Sequence, residues 1–117
     1  MNITLYGIKN CDTMKKARAW LDGHDVAYRF HDYKVDGIER DRLQHWIDAL
    51  GWEIVLNRAG TTFRKLSDAD KRDINDRKAI ALMLAQPSMI KRPILEIGKE
   101  LLVGFKPDLY AKQRGLS

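Results

Sequence analysis

Hydrophobic residues change from strand-like to helix-like spacing close to the N-terminus. Residues 3–6 form a short apolar run that predicts a strand, and Gly7 ends it. A helical repeat of apolar residues follows: Met14, Ala17, Trp20 and Leu21. We expect Asp12 or Thr13 to cap the start of this helix and Gly23 to mark its end.

The middle of the chain is dominated by helical patterns. Residues 26–30 contain β-branched and aromatic side chains and predict a second strand, with a polar connection at residues 32–37. An amphipathic helix closed by Gly51 carries the next apolar repeat: Leu43, Trp46, Ile47 and Leu50. Residues 53–58 fit neither pattern clearly, and residues 60–62 are predicted to form a loop.

Further helix is expected from Ser67 onward, with a break near Asp73 or Asn75. The last helix of this part is the most apolar, and Pro87 ends it. The charged run at residues 65–77 is interpreted as the solvated face of these helices.

The C-terminal part predicts a hairpin and a helix. Ile94–Ile97 and residues 101–103 are rich in Ile, Leu and Val, as is typical of central strands in a covered sheet. Gly98 and Lys99 between them predict a two-residue turn with glycine first. Pro107–Lys112 is expected to be the final helix.

This order of elements predicts an α/β fold on a four-stranded mixed sheet. The first strand–helix–strand unit is expected to be parallel and right-handed, and the hairpin adds an antiparallel half. Residues 30–86 contain no clear strand. At 117 residues the chain is expected to be one domain, residues 1–117, with a helical insertion at roughly residues 33–86.

Composition narrows the classes of partner. The net charge is +5, but 16 acidic residues disperse the basic ones, so we expect an anionic small molecule or peptide and no nucleic acid. The longest apolar run, residues 79–85, is too short to span a bilayer, so no membrane association is expected. With no signal peptide expected and a single unpaired cysteine, the cytoplasm is the predicted location.

Cys11 is the only cysteine, and it lies between the first strand and the first helix. Unpaired backbone N–H groups and the helix dipole favour an anion there, so Cys11 should ionise more readily than a free cysteine. Polar neighbours and the charges of Lys9 and Lys15 also favour a reactive thiol. The alternative is a small buried hydrophobic residue.

Three segments together resemble the arsenate reductase (ArsC)/Spx family: Tyr-Gly-Ile-Lys-Asn-Cys-Asp-Thr at residues 6–13, Ile-Lys-Arg-Pro-Ile-Leu at residues 90–95, and Leu-Val-Gly-Phe at residues 102–105. More narrowly, the chain resembles the YffB-type members, which carry a single N-terminal cysteine. The resemblance implies a thioredoxin-like fold with a helical insertion. It also implies that Pro93 is a cis-proline beside the thiol and that Arg92 binds an anion facing Cys11.

Departures from the family pattern argue against arsenate as the substrate. Arsenate reductases of this family use three arginines, but here the first position is either Asn57 or Arg58, and residues 104–105, Gly-Phe, stand at the third. Met14 occupies the second position of the Cys-x-x-Cys switch found in many Spx-type regulators. An internal disulfide at that motif is therefore impossible.

The resemblance implies a glutathione-dependent thiol–disulfide reductase. Cys11 is the predicted nucleophile, and seven residues are predicted to shape the site or bind glutathione: Lys9, Asn10, Asp12, Thr13, Arg58, Arg92 and Pro93. Arg64 could add complementary charge. Expected partners are glutathione as co-substrate, a disulfide or mixed-disulfide substrate, and glutaredoxin. We expect no tightly bound cofactor, no metal site and a monomer. The alternatives are a glutathione- and glutaredoxin-dependent arsenate reductase and an Spx-like regulator that binds RNA polymerase.

Overall fold

The computed structural model describes residues 2–116. They divide into two compact units. The first combines the chain up to Asp32 with the chain from Arg92 onward, and the second is Tyr33–Lys91. That residues 33–86 are an insertion within one domain stays a prediction.

The described residues form four strands and eight helices. The strands are β1 (Ile3–Gly7), β2 (Arg29–Asp32), β3 (Ile94–Ile97) and β4 (Glu100–Val103). The helices are α1 (Asp12–Gly23), α2 (Tyr33–Asp36), α3 (Arg40–Leu50), α4 (Trp52–Val55), α5 (Thr61–Arg64), α6 (Asp68–Lys71), α7 (Asp76–Ala85) and α8 (Pro107–Lys112). A 3-10 turn at Pro87–Met89 follows α7.

The four strands form one mixed sheet in the order β2-β1-β3-β4. β1 pairs in parallel with β2 and antiparallel with β3, and β3 pairs antiparallel with β4. Gly98 has a φ of 59° at the first position of the two-residue turn between β3 and β4, a conformation that glycine adopts without strain. The predicted parallel unit, hairpin and mixed sheet are therefore confirmed.

One face of this sheet packs against α1 and α8. Leu5 of β1 and Leu95 of β3 are fully buried against the apolar side of α1. That side of α1 carries the predicted repeat and buries three residues: Met14, Ala17 and Leu21. Tyr110 of α8 belongs to the same cluster and is also fully buried. The hydrophobic spacing seen in the sequence is thus the spacing that this core requires.

The second unit is helical and has its own buried residues. Tyr33 of α2 packs its ring edge-on against Trp46 of α3, with ring centroids 6.4 Å apart, and both side chains are buried. An isolated antiparallel bridge joins Leu56 to Ile90. Among the described residues of this unit, that bridge is the only strand-like pairing assigned outside the named strands.

Short elements around β2 differ from the prediction. β2 begins at Arg29, not at residue 26. Asp25, with a φ of 57°, lies in the turn after α1, residues 26–28 are irregular, and pairing with β1 begins only at Arg29. The predicted polar connection at residues 32–37 is wrong. Asp32 still belongs to β2, and α2 begins at Tyr33.

One further prediction in the second unit is wrong, and one segment left unassigned is now defined. The ambiguous residues 53–58 include most of α4, and the loop predicted at residues 60–62 is wrong because α5 begins at Thr61. The predicted helical break is confirmed. Ser67 Oγ accepts the Asp70 N–H at 3.1 Å at the start of α6, and Asn75 caps α7 in the same way.

β4 is not a central strand, as its composition suggested. It lies at the edge of the sheet, beyond β3, and residues 101–103 are half-buried. An edge strand can have the same apolar composition as a central strand, because one of its faces still packs against the core. Leu102 of β4 packs against the core in this way.

Candidate active site

Cys11 itself is the N-cap of α1, so the prediction that Asp12 or Thr13 would be the cap is wrong by one or two residues. Cys11 has an extended backbone (φ −132°, ψ 129°), and its carbonyl accepts the Lys15 N–H at 2.9 Å to close the first helical turn. The thiol therefore lies where the N–H groups of the first turn are free of helical partners. Cys11 is half-buried.

Several groups set the ionisation of Cys11. Partial burial by itself raises the pKa of the thiol, because it disfavours the charged form. The Met14 N–H, a hydrogen bond from the Arg92 side chain, the Thr13 N–H and the positive charge of Arg92 all lower it. The lowering effects win, and the pKa lies below that of an ordinary cysteine. The sulfur makes no regular side-chain capping hydrogen bond, but the amides at the start of the helix still favour its negative charge.

Arg92 and Pro93 enter β3 beside the thiol. The Arg92–Pro93 peptide bond is cis, as the family resemblance implies. Pro93 is buried, and its carbonyl accepts the Gly104 N–H at 2.8 Å, which ties the start of β3 to the end of β4. Arg92 is half-buried, and its guanidinium donates a hydrogen bond to Cys11.

The loop between β1 and Cys11 is attached at two points. Near its start, Gly7 lies so close to Met14 that a Cβ atom there would be 2.2 Å from the Met14 sulfur. The Lys9 N–H donates to the Asp32 carboxylate at 3.3 Å, and Asp32 is buried. Sequence reasoning missed Asp32 because it placed the residue in a solvated connection. The available signal was a carboxylate at the end of a strand parallel to β1.

The structure groups most of the other predicted site residues around Cys11. Lys9, Asn10, Asp12 and Thr13 are all exposed on the loop and first turn that carry the thiol. Arg58 belongs to the second unit, where it is exposed and its guanidinium lies 5.1 Å from the centroid of the Trp52 ring. The binding roles assigned to these residues stay predictions.

The position expected for a third arginine has an apolar environment. Phe105 packs edge-on against Tyr110, with ring centroids 4.8 Å apart, and contributes to the hydrophobic cluster of the first unit. Gly104 before it has a φ of 80°. In this segment the chain therefore provides packing and no charge for an oxyanion.

Residues 2–116 present neither a cluster of metal ligands nor a membrane-spanning helix. No group of three or more His, Cys, Asp or Glu side chains there could hold a metal ion. His24 instead stacks on Trp20 with ring centroids 3.7 Å apart. Within the same residues, none of the helices combines the length and hydrophobicity that a bilayer crossing needs.

The sheet order, the cysteine at the start of the first helix and the proline that opens β3 define an α/β protein of the thioredoxin-like class. Comparison with known proteins narrows this class. The sequence profile of the ArsC family matches residues 6–113, which is most of the chain. The chain belongs to the ArsC family.

Individual relatives agree with this assignment. The solved structure of a YFFB protein is 65% identical, with a TM-score of 0.94 over 99% of this chain and 100% of that one. An arsenate reductase (ArsC) related protein from Brucella melitensis is 55% identical, with a TM-score of 0.77 over 94% and 92% of the two chains. The global transcriptional regulator Spx of Streptococcus mutans is 32% identical over 91% of this chain and 78% of its own length. Such relatives support a redox enzyme or an Spx-like regulator.

Proposed function

We propose that this protein is a glutathione-dependent thiol–disulfide oxidoreductase that uses Cys11 as its nucleophile. The observation that carries the proposal is the placement of Cys11 at the start of α1, beside Arg92, where its pKa is lowered. A lowered pKa raises the fraction of thiolate at neutral pH, and the thiolate is the form that attacks disulfides.

A cycle with a single protein thiol needs a second thiol from outside the chain, because Cys11 is the only cysteine. The Cys11 thiolate attacks the glutathione sulfur of a mixed disulfide, forms a Cys11–glutathione disulfide and releases the substrate as a thiolate, which takes up a proton. The thiolate of a second glutathione then attacks this disulfide, which regenerates the Cys11 thiolate and releases oxidised glutathione. In the net reaction the mixed disulfide and one glutathione become the substrate thiol and oxidised glutathione, so one disulfide bond is broken and one is formed.

Charge around the thiol supports an anionic co-substrate. Glutathione carries two carboxylates, and Lys9 and Arg92 offer cationic groups on the segments that flank Cys11. The guanidinium of Arg92 suits a carboxylate because its N–H groups form a planar fork. We assign Asn10, Asp12 and Thr13 to the shape of the loop and the Arg92–Pro93 backbone to docking the glutathionyl group. No tightly bound cofactor is required, and we expect a cytoplasmic monomer.

The decisive experiment measures reduction of a glutathione mixed disulfide by the purified protein, coupled to glutathione reductase. Cys11→Ser should lose essentially all activity, and mass spectrometry of the wild type should detect one glutathione adduct per chain on Cys11. Full activity in Cys11→Ser would refute the proposal.

A relocated thiol provides the control. The double variant Cys11→Ser with Ser67→Cys keeps one cysteine and again places it at the N-cap of a helix, but in an exposed position on a one-turn helix. If the environment of Cys11 matters, this variant should remain inactive. Wild-type activity in it would mean that any exposed thiol suffices.

Arsenate reduction with glutathione and glutaredoxin is the second candidate, since arsenate reductase-related proteins are among the relatives. Arg92 would be one oxyanion ligand. The apolar packing of Phe105 removes another, so we rank this reaction lower. Arsenate turnover by the wild type at a rate above that of mixed-disulfide reduction would reverse the ranking.

An Spx-like regulator is the candidate from a different class, and the Spx relative favours it. Such a protein would bind a partner such as RNA polymerase without turnover. Recovery of purified polymerase by the immobilised protein, equally with wild type and Cys11→Ala, would support regulation over catalysis.

A further inference from the structure

Asp32 is the one buried charged side chain among residues 2–116. Burying a carboxylate is unfavourable unless hydrogen bonds or opposite charges compensate for the lost water. One of its hydrogen bonds comes from the Lys9 N–H, which donates to Oδ2 at 3.3 Å. Because Asp32 accepts a backbone N–H of the active-site loop, its burial indicates a structural role in that loop.

The sheet explains how Asp32 reaches the loop. β1 and β2 are parallel, and Asp32 pairs with Gly7 at the carboxyl end of both strands. The chain leaves β1 at this point, and Lys9 follows two residues later. Cys11 lies another two residues along.

The loop is held from its other side by α1. The Lys15 N–H donates to the Cys11 carbonyl at 2.9 Å, and Gly7 lies against Met14. Both contacts join the loop to its own helix. The hydrogen bond to Asp32 is different, because it joins the loop to a neighbouring strand and so fixes the loop relative to the sheet.

We propose that Asp32 is a positioning residue, which holds residues 8–11 through the Lys9 N–H so that the Cys11 sulfur stays at the start of α1 beside Arg92. The inference rests on the proposed function, since it concerns the same thiol. Asp32 acts through a backbone amide of the loop, so it is not assigned to the catalytic residues.

The test compares three variants by the pH dependence of Cys11 alkylation with iodoacetamide, which reports on one site because the chain has one cysteine. Asp32→Leu removes the acceptor and should raise the midpoint of the profile by about one unit, which slows alkylation at neutral pH by up to about tenfold. Asp32→Asn keeps an oxygen acceptor and should retain the wild-type profile. Asp22→Leu, at an exposed position of α1, is the control and should also leave it unchanged.

A wild-type profile in folded Asp32→Leu would overturn the proposal. An Asn variant as impaired as the Leu variant would overturn it too, because the charge and not the hydrogen bond would then matter. If Asp32→Leu fails to fold, NMR of the wild type decides. Its Lys9 amide resonance should show hydrogen exchange well below the rate of an unstructured peptide, because the N–H is bonded to Asp32. Exchange of the Lys9 amide at the unstructured rate would overturn the proposal.

These readouts separate the inference from the proposed function. Neither alkylation nor the Lys9 resonance involves glutathione or a disulfide substrate. A protein without reductase activity could still show the Asp32 effect, and an active enzyme could lack it.

Discussion

Among side chains, Arg92 acts most directly on Cys11. It lowers the pKa of the thiol both by a hydrogen bond and by its positive charge, in addition to the contributions of the Met14 and Thr13 N–H groups. All of these oppose the effect of partial burial, which raises the pKa. A loss of Arg92 therefore removes two of the influences that lower the pKa of the thiol.

Replacing Arg92 with glutamine should raise the midpoint of the Cys11 alkylation profile by about one unit. Arg92→Lys should give an intermediate value, because it keeps the charge but loses the planar fork of donors. Arg114→Gln removes an exposed arginine elsewhere in the first unit and serves as the control. An unchanged midpoint in Arg92→Gln would show that the backbone amides alone control the thiol.

At the scale of secondary-structure elements, the contact between β1 and α1 fixes where the thiol-bearing loop begins. Gly7 is buried, and Met14 of the first helical turn occupies the space that a side chain at position 7 would need. Met14 is itself fully buried, so it has little room to move away. Glycine at position 7 is therefore required by close approach.

Gly7→Ala should destabilise the protein by about 1–3 kcal/mol through overpacking. Urea unfolding followed by circular dichroism measures this change. Gly23→Ala is the matched control, since no atom lies within 4 Å of a Cβ built there, and it should be neutral or stabilising by up to about 1 kcal/mol. In a Met14→Ala background the cost of Gly7→Ala should largely disappear. A cost that persists there would place the strain elsewhere.

Elements with a full hydrophobic repeat were predictable. α3 and the β3–β4 hairpin have the bounds that the pattern indicated to within a few residues. The one-turn helices α2, α4 and α5 were not predicted, because four residues are too few to display a helical period. Tertiary contacts decide such segments, as the burial of Tyr33 and Phe63 illustrates.

At the scale of the whole molecule, two perturbed groups link stability to pH in opposite senses. The lowered pKa of Cys11 stabilises the folded state. This stabilisation is fully present above the usual cysteine pKa and is lost as the pH falls through the pKa of the folded state. Burial raises the pKa of Tyr110, because its hydroxyl lies in the core without a hydrogen-bond partner. The stabilisation that Tyr110 gives to the folded state is fully present below the usual tyrosine pKa and decreases as the pH rises above it.

Tyr110→Phe should therefore remove part of the alkaline loss of stability. At neutral pH the variant should be as stable as the wild type or slightly more so, because no hydrogen bond is lost. Above about pH 10 the wild type should lose more stability than the variant. Urea midpoints at both pH values measure the difference.

Tyr28→Phe provides the contrast. The Tyr28 hydroxyl accepts a hydrogen bond from Arg18 Nε at 3.2 Å, so this variant should be destabilised at neutral pH by about 0.5–1.5 kcal/mol. Equal effects of the two substitutions at both pH values would contradict the assignment of a buried, unpaired hydroxyl at Tyr110.

The sequence by itself determined the order of the strands and of the longer helices, the mixed sheet, and Cys11 as the candidate nucleophile, because these depend on local periodicity and on residue types close together in the chain. Family motifs added Arg92 and the cis-proline. Only the tertiary structure showed that Cys11 is the helix cap, that Asp32 reaches the Lys9 amide and that Tyr110 has a buried hydroxyl. The cap at Cys11 is a local feature, but the residue pattern located the helix start only to within one or two positions. The other two features arise from contacts between residues far apart in sequence, where pairing across the sheet and packing of α8 decide which groups meet.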